Sequence, residues 1–146
     1  MFMGEYHHNI DEKGRIVIPG KFRDQASNQL VVTRGLEKCL YLYTMEEWEK
    51  VVSKLERLPF TKKDARTFMR SFFAGATASE FDKSGRINIT SPLVSYAGLT
   101  KECVVIGVND RIEIWDKELY KAFLEENASK LEEIAENLFE VSNEAL

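Results

Sequence analysis

The chain is poor in the residues that most often carry metal binding or catalysis. It has two histidines and two cysteines in 146 residues. His7 and His8 are adjacent in a strand-like run, so their side chains leave opposite faces and cannot chelate one ion together. Cys39 and Cys103 stand at no zinc-ligand spacing. Each lies in an apolar run and reads as a buried, reduced thiol, inert toward catalysis. No G-x-x-x-x-G-K or G-x-G-x-x-G phosphate loop occurs. The expectation is therefore a protein with no metal, no cofactor, no catalytic residue and no evident small-molecule substrate.

Long apolar runs are also missing. No stretch approaches the roughly 18–20 residues of a membrane span. The opening "MFMGEYHHNID" lacks the basic and apolar regions of a secretory signal. A cytoplasmic protein with no membrane partner is expected. With three prolines, eight glycines, 44% hydrophobic and 30% charged residues, the composition is that of a globular protein. Its length suits one core or two small modules sharing one.

A net charge of −4 argues at first against nucleic acid. The distribution argues otherwise. Residues 1–101 hold 16 Lys and Arg against 12 Asp and Glu, whereas residues 102–146 hold 4 against 12. A cationic face and an acidic back can coexist.

What the chain does have is an internal repeat. Shifted by 71 positions, Phe2, Gly4, Asp11, Gly14, Arg15, Ile16 and Ile18 fall on Phe73, Gly75, Asp82, Gly85, Arg86, Ile87 and Ile89. About one such identity is expected by chance in a window of this size. After one inserted residue, "LYLYTMEEW" (40–48) falls on "IEIWDKELY" (112–120). Each copy reads as strand, tight turn, strand, short helix, strand, strand, helix. In the first, residues 6–10 and 15–18 are expected to pair across the turn at 11–14. "PGKFRDQA" is a helical turn, and "QLVVTRG" and "CLYLY" are strands around "RGLEK". In the second, Ser91 and Pro92 signal a helix start and Gly98 its stop. "ECVVIGV" and "RIEIW" follow around a turn at Asn109 and Asp110.

Thr44 and Glu47 form a capping-box pattern ahead of Trp48, Val51, Val52, Leu55 and Leu58. Pro59 ends that helix, and Thr61 with Asp64 starts another carrying Ala65, Phe68, Met69, Phe72 and Phe73 on one face. Residues 117–141 read as an amphipathic helix bent near Asn127, with Leu119, Phe123, Leu131, Ile134, Leu138 and Phe139 on its apolar side. The chain is expected to fray after Val141. The organisation expected is module 1 at 5–47, connecting helices at 48–75, module 2 at 76–119 and a C-terminal helix at 120–146.

The repeated tips are "DEKGRIVIP" (11–19) and "DKSGRINIT" (82–90). Asp at the first position and Gly at the last suit a type I turn, so Asp11, Gly14, Asp82 and Gly85 need only a structural role. The turn does not require the arginine. Arg15 and Arg86 could make a local ion pair or guard an edge. An arginine fork also matches guanine O6 and N7, a contact worth about 1–3 kcal/mol of discrimination. Lys13, Lys21, Arg23 and Lys83 lie near enough in sequence to hold phosphates.

With "MFMGEY", "CLYLYTMEEW", "LPFTKKDAR" and "ECVVIGVNDRIEIWD", the two D-x-x-G-R tips make the chain resemble the MraZ family of bacterial transcription regulators over nearly its whole length. The resemblance implies an α+β fold, mainly β modules with packed helices. Two AbrB-like (SpoVT-type) swapped-hairpin modules would form a pseudo-dimer within one chain. It further implies a ring-shaped homo-oligomer, nucleoid-associated, that binds double-stranded DNA at short G-rich repeats. These would lie upstream of the division and cell-wall gene cluster that includes its own gene. The family's DNA-contact arginines fall on Arg15 and Arg86. The second tip departs at Lys83-Ser84, Asn88 and Thr90, so the two tips are expected to contact DNA unequally. The other reading is an oligomeric protein-interaction module, such as an antitoxin-like partner binder, since AbrB-like folds serve both roles.

Overall fold

In the computed structural model, which describes residues 1–142, every strand of each repeat has a partner in the other repeat, and only β3–β4 and β7–β8 also pair within one. The first repeat runs β1 (Phe2–Asn9), β2 (Arg15–Val17), α1 (Gly20–Arg23), β3 (Gln29–Arg34), β4 (Leu40–Tyr43) and α2 (Met45–Leu55). Then α3 (Lys63–Gly75) leads into β5 (Thr77–Glu80), β6 (Arg86–Asn88), α4 (Ser91–Ala97), β7 (Glu102–Asn109) and β8 (Arg111–Asp116). Met1–Asp116 is one compact unit, and the chain from Lys117 is a second.

Six strands form one sheet in the order β1-β7-β8-β4-β3-β5, and β2 pairs with β6 apart from it. Exchanging each strand for its counterpart in the other repeat reproduces this order backwards. A pseudo-twofold axis therefore passes between β4 and β8. β1 lies along β7 from Phe2↔Asn109 to Asn9↔Glu102, and β5 lies along β3. All these ladders are antiparallel.

The pairing of 6–10 with 15–18 expected from sequence is corrected here. Only the turn between them closes, where the Asp11 N–H donates to the Arg15 carbonyl at 2.9 Å and the Gly14 N–H to the Asp11 carbonyl at 3.0 Å. An alternating strand packs equally well against either partner, and exchanging partners joins both repeats in one core. The mixed, mainly antiparallel fold with two intertwined repeats is the swapped-hairpin pseudo-dimer that the resemblance implies.

That core anchors the tips. Ile16 and Ile87 face each other in the β2–β6 ladder and are fully buried. With Ile18, Ile89, Phe22 and Leu93 they join Leu42 and Ile114 of the sheet in one apolar cluster. Each such side chain contributes about 1.5–3 kcal/mol on burial.

On another surface of this unit, Trp48 of α2 stacks on Phe72 of α3 at 5.5 Å and packs against Tyr43 at 5.9 Å. The Thr33 hydroxyl donates to the Phe72 carbonyl at 2.5 Å. Thr44 caps α2 by accepting the Glu47 N–H at 3.2 Å, as its sequence indicates. Two other helix starts shift. The cap of α3 is Lys62, with no side-chain bond, and that of α4 is Thr90, with Pro92 in the first turn. The cap falls where the backbone turns helical, and good capping residues one position away do not move it.

Cys39 and Cys103 are free and buried. Burial pushes both thiols up, Cys103 to about 11. The second unit holds α5 (Lys117–Asn127), one 3-10 turn (Ala128–Lys130) and α6 (Leu131–Ser142). The break falls beside Asn127, whose amide donates to the Phe123 carbonyl at 2.8 Å. The fraying expected beyond Val141 lies, from residue 143 on, outside the described residues. Among the described residues, no helix is long and apolar enough to cross a membrane.

Candidate nucleic-acid interface

The two tips are copies in geometry as well as in sequence. In the first, Asp11 Oδ1 accepts the N–H groups of Lys13 and Arg15 at 2.9 and 2.8 Å, and Oδ2 accepts Arg15 Nε at 2.7 Å. In the second, Asp82 Oδ1 accepts those of Ser84 and Arg86, each at 2.9 Å, and Oδ2 accepts Arg86 Nε at 2.8 Å. The backbone N–H of the arginine is the main cause holding each carboxyl below its ordinary range; the guanidinium adds to it. The local ion pair considered from sequence is therefore present. It engages Nε, so the hydrogen bond to its own aspartate leaves the two terminal nitrogens of each guanidinium as a fork.

Gly14 and Gly85 close the turns at φ +82° and +75°, in the left-handed region. They also make room for the exchange of strands. The Ile89 N–H donates to the Gly14 carbonyl at 2.7 Å, and the Ile18 N–H to the Gly85 carbonyl at 3.0 Å. A Cβ on Gly14 would collide with the Ile89 carbonyl oxygen.

The β2–β6 ladder sets the tips side by side. Its register is Arg15↔Asn88, Ile16↔Ile87 and Val17↔Arg86. The isoleucine pair points into the core. Arg15, Val17, Arg86 and Asn88 therefore share the outward face, because successive strand residues alternate. The two arginines are diagonal neighbours on one patch. Arg86 Nη1 comes within 3.9 Å of Asp11 Oδ2, so the tips are also linked by charge. Both arginine side chains are about one-third exposed, at 36% and 31%.

The other candidates divide. Lys13 and Lys83 are exposed at the two turns, and Lys21 is exposed on α1. Arg23 is half-buried and turns inward, donating from Nη1 to the Ile18 carbonyl and lying over Gly85. Two residues of the outward face, Val17 and Asn88, were not singled out as site residues from sequence. The Asn88 amide donates to the Lys13 carbonyl at 3.0 Å, which braces the first tip from the second repeat. Their signal was available, because the aligned copies differ at this outward position.

Each tip also lies within its own match to a known family. The sequence profile described as "MraZ protein, putative antitoxin-like" matches residues 1–71 and again residues 72–142. The chain belongs to the MraZ family. The two matches repeat at the same 71-position interval that superposes Asp11 on Asp82. The chain is similar to the transcriptional regulator MraZ of Lactobacillus helveticus (strain DPC 4571), at 58% identity over 141 residues. That alignment spans 97% of this chain and 99% of the relative. The family match thus extends past the first unit into the acidic helices of the second.

Proposed function

We propose that this chain is a transcription regulator, not an enzyme, that binds double-stranded DNA with the outward face of the β2–β6 ladder. The paired tips carry the reading. Two arginines, each oriented through Nε by an aspartate, present their forks from one patch held by buried isoleucines. A fork aligned in advance loses less entropy when it meets guanine O6 and N7 in the major groove. Asp11 and Asp82 are positioning residues in this scheme. Lys13, Lys83 and Lys21 flank the patch and serve phosphates; Arg23 braces the base of the second tip.

One chain offers few cationic contacts, so its affinity for a single site is modest. A ring of copies meeting several short G-rich repeats gains through effective concentration. The regulated DNA in this reading lies upstream of the division and cell-wall gene cluster that includes the protein's own gene, and the effect is repression. A second reading, a partner-binding module, draws on the antitoxin-like wording of the family's description and on the acidic C-terminal segment.

Fluorescence anisotropy with DNA from upstream of the protein's own gene, scrambled DNA and two salt concentrations separates the two. The wild type should prefer its own upstream DNA. The Arg15→Ala/Arg86→Ala variant should lose that preference while keeping its fold and assembly. Equal binding by both, or binding by neither, removes the DNA reading in favour of a protein partner.

A further inference from the structure

The pseudo-twofold symmetry permits an internal comparison of the space behind each tip. Behind the second tip stands Arg23. Its guanidinium donates to the Ile18 carbonyl and lies 2.5 Å from where a Cβ on Gly85 would sit. The equivalent position behind the first tip is Val94. The correspondence is close, because α1 and α4 start alike. The Phe22 and Arg23 N–H groups donate to the Pro19 carbonyl, and those of Leu93 and Val94 to the Thr90 carbonyl. Phe22 and Leu93 are both buried in the core.

Valine is too short to do what Arg23 does. Behind the first tip a cavity of about 280 Å³ is bounded by Gly14, Ile89 and Val94, the counterparts of Gly85, Ile18 and Arg23. The rest of its lining is rich in acceptors. Asp11 and Glu12 bring two acidic residues against one basic residue, Lys13, and Ser91 and Ser95 bring hydroxyls. The cavity thus lies where Arg23 stands in the other half, and its acidic lining is its own, since Glu12 and Lys13 are replaced by Lys83 and Ser84 at the second tip.

We propose that this cavity is a binding site for a small guanidinium-bearing molecule, which takes the place that the Arg23 guanidinium holds in the other half. The ligand's N–H groups would donate to the Ile89 carbonyl, as Arg23 donates to that of Ile18. The acidic lining would balance its charge. The site stands on the internal comparison alone and does not depend on what the tips read.

The test is titration of the ¹⁵N-labelled full chain with methylguanidinium chloride, using urea and sodium chloride as neutral and ionic-strength controls. Amide resonances of Gly14, Ile89 and Ser95 should shift and saturate with a Kd of about 1 mM, as suits a ligand of a few heavy atoms. Urea and sodium chloride should not reproduce the shifts. Val94→Arg should supply its own guanidinium and abolish them. Glu12→Lys, an exposed change that reverses the charge of the lining, should weaken them at least about tenfold. Shifts that fail to saturate, that urea reproduces, or that persist unchanged in both folded variants would overturn the site.

Discussion

At the scale of single residues, the tips show how one residue without a side chain can meet two demands. Gly14 must adopt a positive φ and also leave space for the Ile89 carbonyl of the other repeat. Gly85 has the same turn geometry, but a Cβ there meets the end of the Arg23 side chain. Gly14→Ala should therefore cost about 2–3 kcal/mol, from strain plus a backbone collision. Gly85→Ala should cost about 1 kcal/mol, because a flexible side chain can yield. Urea unfolding of the two variants gives the order directly.

The tip aspartates add a pH dependence at this scale. Their folded pKa values lie below the ordinary value, chiefly through the backbone N–H groups of Arg15 and Arg86. Stabilisation of this sign is complete above the unfolded pKa of about 4 and is lost as pH falls through the lower folded value. The wild type should lose urea stability more steeply between about pH 5 and 2 than the Asp11→Asn/Asp82→Asn variant. Parallel curves for the two proteins would mean that the carboxylates contribute nothing to the fold.

At the scale of elements, the exchange of strands dominates. β1 with β7, β5 with β3, β4 with β8 and β2 with β6 all join opposite repeats. The covalent link between the repeats is then not what holds them together. Phe60, between α2 and α3, is 77% exposed and offers a site for limited chymotrypsin cleavage. A chain nicked there should elute as one species under native conditions and separate into two fragments only in denaturant. Separation without denaturant would show that the crossed ladders are weaker than their extent suggests.

At the scale of the molecule, charge is divided along the chain, with the basic excess before residue 102 and the acidic excess after it. Lys13 and Lys83 are exposed cations at the two turns, and Lys21 is one on α1. With about three phosphate contacts for each engaged patch, log K against log salt should slope at about −3. Replacing Lys83 with alanine should reduce that slope by about 1 without altering base preference. Arg15→Ala should instead relax the preference, at a cost of about 1–3 kcal/mol on the favoured sequence. In an assembly the slope scales with the number of patches engaged. Sedimentation at micromolar concentration gives that number its upper bound, and a monomeric mass would remove the ring.

Much of this protein is determined locally and is legible in the residues. Asp-x-x-Gly-Arg specifies its turn because the aspartate bonds, the glycine φ and the arginine Nε contact all fall within five residues. The repeat, the Thr44 cap, the buried thiols and the break beside Asn127 are likewise read from short patterns. The β3–β4 and β7–β8 hairpins are local too, but which strands cross between the repeats is not. β1 shows the same alternation whether it meets β2 or β7, and only the shared core selects the exchange. The same reason hides the joining of Arg15 and Arg86 on one patch, the bracing of Lys13 by Asn88 and the inward turn of Arg23. Each depends on a neighbour from the other repeat (Arg86 for Arg15, Asn88 for Lys13, Gly85 for Arg23), whose approach is decided when the two repeats close on one another.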